Sequence, residues 1–391
     1  MSAGRAGTRS DGRGMPGGRG GRGSDPTRAA RVAIELDELE LDALLVDSLV
    51  DVRYLTGFTG SNAIVIAVAA AAQPRLGAHR FLSDFRYATQ SAEQVPEEFE
   101  REIVADELLG GLAPALGPGG GRLGFEEASV TVKTHRRLAQ ALGERWELVP
   151  CAGVVQGLRA VKDAGEIARM RAASQLADEA LRTVLEDGLV GRTEREVAIE
   201  LELRMRRLGA EAPSFPSIVA AGAHGALPHA EPRAREIPPD VLVTIDWGAL
   251  HEGYCSDCTR TYATGEGISV QARETYELVL SAQQRGLEAV RAGLTGREVD
   301  ALAREVIEQA GQGEHFGHGL GHGVGLEIHE GPRLSRTAPE GQVLRAGNVV
   351  TVEPGVYLPG VLGVRIEELV VVGEAGCEIL TGLPRTLTVV T

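Results

Sequence analysis

The feature that most constrains this chain is an internal repeat that carries acidic residues. Short segments recur in the same order about a hundred residues further along the sequence. The corresponding segments are Gly191–Val197 (GRTEREV) and Gly293–Val299 (GLTGREV), Pro228–Pro232 (PHAEP) and Ile328–Pro332 (IHEGP), and Val243–Gly248 (VTIDWG) and Val350–Gly355 (VTVEPG). Because the segments follow the same order in both places, the sequence predicts two copies of one folding unit. We expect both copies to deliver acids to a shared centre, which indicates a metal site.

Secondary-structure signals follow the same order in both copies. Each copy is predicted to run from a helix through a capping box into a second helix, and then into strands. The capping boxes are expected at Asp163 with Glu166, at Thr193 with Glu196 and at Thr295 with Glu298, and the helix ends near Gly209, Gly293 and Gly311. Two such units placed face to face predict an α+β domain with a pseudo-two-fold axis.

Ahead of the repeat, residues 28–156 alternate between helical and strand patterns, which predicts a smaller α/β domain. A helix is expected at Ala30–Leu39, and strands are expected at Ala43–Val46 and Ala63–Val68. The glycine-containing stretch Arg53–Asn62 predicts a shaped loop. Residues 1–27 are rich in Gly and Arg and lack an apolar stretch, so we expect a disordered tail. Residues 157–391 form the domain that contains the repeat.

Composition argues against several classes of protein. A net charge of −15 and a pI near 5.2 argue against nucleic-acid and anionic-membrane binding. We find no apolar run long enough to span a membrane and no hydrophobic export signal, so we expect a cytoplasmic protein. Four cysteines in 391 residues do not make a disulfide framework. The CxxC at Cys255–Cys258 lacks a second CxxC for zinc and is interpreted as two reduced cysteines in a strand.

Four acidic residues lie at mirror positions about two predicted hairpin turns. Asp246 and Asp257 flank a turn expected between residues 251 and 252, and Glu353 and Glu367 flank a turn centred on Gly360. Directly opposed residues hold their Cβ atoms about 5 Å apart. Buried carboxylates at that range repel each other and lose hydration, unless divalent cations lie between them. The alternative is a solvated hairpin face, but the apolar flanks of these acids indicate interior strands.

Histidines add nitrogen donors to the same motifs. Five of the nine histidines fall in the motif regions, namely His224, His229, His318, His322 and His329. In His318–Gly325, two of these histidines are interleaved with glycines, which let backbone and ligand approach closely. Mixed carboxylate and imidazole ligands suit manganese, cobalt, iron or zinc better than calcium.

Together these motifs resemble those of the pita-bread metallopeptidases, peptidase family M24. The resemblance covers roughly Gly157 to the C-terminus, in the segments Thr244–Gly248, Ser256–Asp257, Gly321–Gly325, His329–Pro332, Val352–Gly355 and Arg365–Glu368. The preceding α/β domain is similar to the N-terminal domain of the aminopeptidase P and prolidase branch, which methionine aminopeptidases usually lack. The resemblance implies a C-terminal pita-bread (creatinase/aminopeptidase) fold behind a creatinase/prolidase-type domain.

The resemblance also implies a ligand set for two divalent metal ions, with manganese expected first and cobalt or zinc as alternatives. Asp246 would chelate one ion, and His322 with Glu353 would hold the other. Asp257 and Glu367 would bridge both ions. Glu353 is similar to the family's general base. The remaining implied catalytic residues are His229, His318 and His329, which would contact substrate, and Arg365, which would orient a neighbouring group.

The expected function is therefore that of an Xaa-Pro aminopeptidase, which hydrolyses the N-terminal peptide bond before proline in short peptides. An Xaa-Pro dipeptidase (prolidase) is the alternative within the same branch. A metal-free creatinase-like hydrolase and a non-catalytic binding module are further alternatives on this fold. Proteins of both kinds tend to lose metal ligands that this chain keeps. By resemblance we also expect a homodimer.

Overall fold

The computed structural model of this chain describes residues 26–391. The predicted disordered tail, residues 1–27, therefore lies outside the described residues except for its last two positions. Of these, Thr27 caps the first helix, because its side chain accepts a hydrogen bond from the backbone of Ala30.

The first part of the chain folds around a mixed six-stranded sheet, with strand order β4-β3-β2-β1-β5-β6. The strands are β1 (Ala43–Val46), β2 (Ala63–Val68), β3 (His79–Asp84), β4 (Phe99–Val104), β5 (Gly121–Glu126) and β6 (Trp146–Cys151). The helices are α1 (Arg28–Glu38), α2 (Leu49–Thr56), α3 (Gln73–Leu76), α4 (Ala88–Gln94), α5 (Leu108–Leu116), α6 (Val132–Leu142) and α7 (Val154–Arg159). Every residue of β1 and β2 is buried, as short uninterrupted apolar runs predict.

The second part contains two helix pairs and several small antiparallel sheets. The helices are α8 (Ala164–Glu186), α9 (Glu194–Arg207), α10 (Val270–Ala289) and α11 (Gly296–Gln309). The strands of the first copy are β7 (Ala212–Pro213), β8 (Ile218–Ala221), β9 (Leu242–Trp247), β10 (Ala249–His251), β11 (Tyr254–Cys255) and β12 (Cys258–Ala263). Those of the second copy are β13 (Gly321–Gly323), β14 (Glu330–Leu334), β15 (Val349–Val352), β16 (Gly355–Leu358), β17 (Leu362–Arg365), β18 (Glu368–Val372) and β19 (Cys377–Ile379).

The predicted α+β fold with an internal repeat is confirmed. Each copy begins with a helix pair, α8 with α9 and α10 with α11, and continues into strands. The three predicted capping boxes all form, with both reciprocal hydrogen bonds present in each. Each helix pair packs its apolar face mainly against the strands of its own copy, although the core around α10 and α11 also includes Leu242 and Ala263 of the first copy.

Two details of the sequence prediction are wrong. The stretch Arg53–Asn62 is not a loop throughout, because α2 extends to Thr56 and ends only where Gly57 adopts a left-handed conformation. In addition, α10 ends at Ala289 rather than near Gly293.

The predicted division between residues 156 and 157 falls inside α7, and the domain boundary stays a prediction. In the part of the chain that the structure describes, no helix is long and apolar enough to cross a membrane.

The two copies are joined by close backbone contact. Gly363 on β17 lies against the short 3-10 helix Gly222–Ala226, so that a methyl group added at Gly363 would collide with the carbonyl oxygen of Gly225. The hydroxyl of Thr261 donates to the carbonyl oxygen of Arg365 at 2.9 Å, and the amide of Glu367 donates to the carbonyl oxygen of Thr259 at 3.1 Å. Glycine at position 363 therefore permits the approach that brings the two sets of acids together.

We predict that Gly363→Ala destabilises the protein by about 1–3 kcal/mol or more, because the added methyl group forces two backbone segments apart. Gly376→Ala is the matched control, since an added methyl group there meets no atom within 4 Å. Differential scanning calorimetry of the metal-free variants measures the effect. Equal unfolding temperatures for the two variants would contradict the prediction.

Candidate metal centre

The side chains that the sequence predicts for the site all line one cavity of about 560 Å³. They come from both copies of the repeat and from positions up to 138 residues apart, His229 to Glu367. The lining members are His229, Asp246, Asp257, His318, His322, His329, Glu353, Arg365 and Glu367.

The first acid pair is held by strands β9 to β12. Asp246 lies on β9, among buried apolar neighbours, and Asp257 lies in the break between β11 and β12. The predicted register is wrong, because Asp246 pairs with Thr259 rather than with Asp257. The turn consists of Glu252 and Gly253, both with positive φ (46° and 82°), so its centre lies one residue later than expected. Asp257 is therefore diagonal to Asp246.

The second acid pair follows the predicted mirror relation. Gly355 pairs with Arg365 and Val352 pairs with Glu368, so Glu353 and Glu367 occupy corresponding positions about the turn at Gly360. Both acids lie in the break between two ladders. The amide of Glu353 donates to the carbonyl oxygen of Leu320 at 2.8 Å, which fixes its backbone outside the strand pairing. The break allows the carboxylates to turn into the cavity.

Three carboxylates converge at the floor of the cavity. Asp246, Asp257 and Glu367 each place an oxygen atom within 4.8 Å of the other two. The Oδ1 atom of Asp246 is buried and has no hydrogen-bond partner among residues 26–391. Within the same residues, no hydrogen bond to the Asp257 carboxylate is found. Buried carboxylate oxygens that lack donors are the donor set of a cation site, so the residues present fit a metal ion.

Charge repulsion supports the same conclusion. Burial raises the pKa of Asp257 well above its ordinary value, and the neighbouring Glu367, Asp246 and Glu353 raise it further. Burial, followed by Glu353 and Asp246, likewise raises the pKa of Glu367 well above its ordinary value. Each carboxylate therefore opposes ionisation of the others in the absence of a cation. Divalent ions would remove this repulsion and hold the acids in their charged form.

His322 presents one ring nitrogen to the acids. Its Nδ1 lies 3.1 Å from the carbonyl oxygen of Gly323, which makes Nδ1 the donor and leaves the lone pair on Nε2. The Nε2 atom lies 3.3 Å from Oε1 of Glu353 and 3.7 Å from Oδ2 of Asp257. Burial lowers the pKa of His322 and so favours the neutral form of its ring. A neutral imidazole with a free nitrogen among carboxylates is suited to metal ligation.

Arg365 is a buried cation that organises one side of the cavity. Its Nη2 donates to Oδ2 of Asp246 at 2.6 Å, and its Nη1 donates to the hydroxyl of Tyr357 at 2.9 Å. The Tyr357 hydroxyl in turn lies 2.9 Å from Nε2 of His318, whose Nδ1 faces the carbonyl oxygen of Gly319. One guanidinium thus fixes an acid and, through a tyrosine, a histidine.

The structure adds residues that the sequence prediction missed. Tyr357 bonds both Arg365 and His318, the hydroxyl of Thr259 donates to Glu367 at 2.7 Å, and that of Thr351 donates to Glu353 at 3.1 Å. Strand parity is the signal that could have identified two of them. Side chains an even number of positions apart on a strand face the same side, and Tyr357 and Thr351 lie at such a spacing from Glu353.

The predicted histidines divide into two groups. His229 and His329 line the cavity, and the ring of His329 lies 4.4 Å from that of His322. His224 belongs elsewhere, since its Nδ1 lies 2.9 Å from Oε2 of the buried Glu194.

Comparison with known proteins agrees with this geometry. The model of metallopeptidase family M24 matches residues 168–374, and the model of the creatinase/prolidase N-terminal domain matches residues 28–161. An uncharacterized peptidase from Bacillus subtilis (strain 168) is 40% identical over 353 residues, which cover 90% of this chain and 97% of the relative. An Xaa-Pro dipeptidase from Pyrococcus furiosus is 45% identical over 234 residues, which cover 60% of this chain and 66% of the relative.

Solved structures give the same result. The Xaa-Pro dipeptidase from Bacillus anthracis superposes with a TM-score of 0.86 at 39% identity, over 93% of this chain and 99% of the other. The X-Pro aminopeptidase from Thermotoga maritima MSB8 superposes with a TM-score of 0.81 at 37% identity, over 91% of this chain and 100% of the other. The chain therefore belongs to metallopeptidase family M24, a family of hydrolases with the pita-bread fold, in the branch that carries a creatinase/prolidase N-terminal domain.

Proposed function

We propose that this protein is a two-metal peptidase that cleaves the bond before proline in short Xaa-Pro peptides. The observation that carries the proposal is the convergence of Asp246, Asp257 and Glu367 in one cavity, with the buried Oδ1 of Asp246 lacking a donor. The substrate class is supported by relatives whose names specify Xaa-Pro substrates, including the enzymes from Bacillus anthracis and Thermotoga maritima.

The chain's own donors suggest how two ions would be shared. Asp246 would hold one ion, His322 with Glu353 the other, and Asp257 and Glu367 would bridge them. An oxygen-rich set with a single imidazole suits manganese, cobalt or zinc, and manganese is the first ion to test. When bound, such ions supply Lewis-acid polarisation of the peptide carbonyl and lower the pKa of water towards neutrality.

The protein side chains then move the proton and orient the peptide. Glu353 would accept a proton from the attacking water and pass it to the leaving proline nitrogen. Burial raises the pKa of Glu353, while His318 and Arg365 oppose that rise, which suits a group that both accepts and releases a proton. His229 and His329, on the cavity wall, would donate hydrogen bonds to the oxyanion that develops on the carbonyl.

The first prediction from this function concerns metal removal. Chelation should abolish cleavage of Xaa-Pro dipeptides and tripeptides, and manganese or cobalt should restore it, because the buried carboxylates need cations to stay ionised. Metal content is measured by elemental analysis beside peptide cleavage, with the matching Xaa-Ala peptides as controls. Equal cleavage by chelated and reloaded protein would rule out a metal-dependent reaction. Efficient cleavage of Xaa-Ala would rule out the proline class.

Glu353→Gln should lower kcat by about 10²- to 10⁴-fold, because it removes the proposed proton acceptor. Bound metal is determined in the same sample, which separates loss of the base from loss of a ligand. The control is Glu314→Gln, which changes an exposed acid that does not line the cavity. Near-normal kcat with both ions bound would show that Glu353 is not the base.

A dipeptidase is the second candidate, and Arg333 favours it. Arg333 lies on β14 directly opposite His322, and its exposed side chain lines the cavity. Among residues 26–391, no acid forms an ion pair with it. Opposed residues hold their Cβ atoms about 5 Å apart, so the Arg333 side chain starts beside His322, a proposed metal ligand, and lines the same cavity. In an Xaa-Pro dipeptide, the free carboxylate of proline lies close to the scissile bond. Longer peptides have no free carboxylate at that position.

We predict that Arg333→Ala raises KM for an Xaa-Pro dipeptide by about 10- to 100-fold, the value of a charge-assisted hydrogen bond. KM for the corresponding Xaa-Pro amide should change little, since it has no carboxylate. Arg336→Ala is the matched control, because Arg336 is exposed on the same segment but does not line the cavity. Equal changes in KM for the Xaa-Pro dipeptide and the Xaa-Pro amide would favour the aminopeptidase.

The homodimer and the cytoplasmic location stay predictions.

A further inference from the structure

Four charged side chains are buried together where the N-terminal domain meets the segment that carries His329. Asp51 lies on α2, Arg159 ends α7, Lys162 follows it, and Glu330 begins β14 directly after His329. The side chains of Arg159, Asp51 and Glu330 are 3%, 2% and 6% exposed. This group of four is called the junction cluster below.

Glu330 is the centre of the junction cluster. Its Oε1 accepts a hydrogen bond from Arg159 and another from the amide of Glu327 at 3.0 Å, and its Oε2 accepts one from Lys162 at 3.0 Å. Arg159 in turn donates to Oδ1 of Asp51 at 2.7 Å. The carboxylate of Glu330 is thus held by two cations, one at the end of α7 and one between α7 and α8, and by one backbone amide of its own loop.

The cluster is stable only as a unit. Burial by itself would raise the pKa of Glu330, but Lys162 and Arg159 outweigh it, and the pKa lies below the ordinary value. Burial lowers the pKa of Lys162, and Glu330 opposes that effect. Removing one partner leaves the other charges buried without compensation. The geometry of the loop around Glu330 is therefore tightly determined.

The junction cluster reaches the candidate metal centre through His329. This histidine directly precedes Glu330, and its ring lies 4.4 Å from the ring of His322. A second cavity, of about 320 Å³, is lined by Arg159 and Glu330 as well as by His329. The packing between Glu330 and Gly325, in contrast, is close, since a methyl group added at Gly325 would collide with the Glu330 carboxylate. The backbone that carries the exposed His329 side chain is therefore anchored, one residue later, by a buried carboxylate that is bonded on both oxygens.

We propose that Glu330 is a positioning residue, held by Arg159 and Lys162, that fixes His329 beside the metal centre. This positioning role rests on the proposed function in one respect, namely that His329 acts on the peptide. Because Arg159 is bonded to Asp51, the N-terminal domain takes part in setting the position of a side chain in the cavity of the other domain. Asp51 does not line that cavity, so its effect on the reaction is indirect.

The test combines Glu330→Gln, which removes the charge, with Glu330→Asp, which keeps it, and with Asp51→Asn, which perturbs the cluster from the N-terminal domain. Arg28→Gln is the matched control, since Arg28 bonds Asp163 and Glu166 across the same two parts of the chain without contacting Glu330. Each variant is made in the full chain, alone and together with His329→Ala. The measurements are kcat, KM, bound metal, thermal unfolding and a crystal structure.

We expect Glu330→Gln to lower kcat/KM by about 10- to 100-fold with metal retained, Glu330→Asp to recover part of the loss, and Asp51→Asn to show a smaller loss. In the His329→Ala background, Glu330→Gln should add less than about threefold, because both changes act through one side chain. Arg28→Gln should leave kcat/KM unchanged. A loss that persists in full in the His329→Ala background would overturn the proposal, because the role would then be one of general stability.

The crystal structures decide the matter without reference to activity. His329 should move away from His322 in Glu330→Gln and in Asp51→Asn, and should keep its position in Arg28→Gln. An unmoved His329 in both cluster variants would overturn the positioning role. A wild-type protein that cleaves no Xaa-Pro peptide would contradict the proposed function instead, while a displaced His329 would still support the role of Glu330.

Discussion

Repulsion among four carboxylates in one cavity is the interaction on which the rest of this structure depends. Asp246, Asp257, Glu353 and Glu367 line the same space, and Arg365 is the buried cation bonded to one of them. Burial and mutual repulsion raise the pKa of Asp257 and Glu367 well above their ordinary values. Such a group is unfavourable in the absence of cations. The surrounding strands must therefore supply rigidity as well as ligands, and their apolar, fully buried sequences do so.

Neither half of the repeat sets the ligand geometry by itself. Thr259, from the first half, donates to the carboxylate of Glu367 in the second, and Arg365, from the second half, donates to Asp246 in the first. The Nε of Arg365 also donates to the hydroxyl of Thr259 at 3.0 Å, which links the two contacts. Asp246 and Glu367 are thus each oriented by a side chain of the opposite copy. The close approach of Gly363 to Gly225 is what makes these exchanges possible.

The sequence predicts local features well, but it predicts contacts between distant segments of the chain poorly. The capping boxes and the mirror turn at Gly360 depend on neighbouring residues, and all form. The first turn was displaced by one residue because Glu252 adopts a positive φ, which its residue type does not signal. Tyr357 is missed because, in an apolar strand, a tyrosine is not distinguished from a core residue. His224 is paired by Glu194, 30 residues away, which no local pattern encodes.

The loops that carry the two cavity histidines are each held by a buried glutamate, but the two glutamates lie at different positions in the repeat. His229 and His329 occupy corresponding positions in the repeat, but Ala230 stands in the first copy where Glu330 stands in the second. The loop around His229 is held by Glu194, which accepts from the amides of Ala221 and Arg233 on either side of the histidine. In both copies, therefore, a buried glutamate anchors the histidine segment. Among residues 26–391, the second anchor differs from the first in that it bonds Arg159 at the end of α7, which in turn bonds Asp51 of the N-terminal domain.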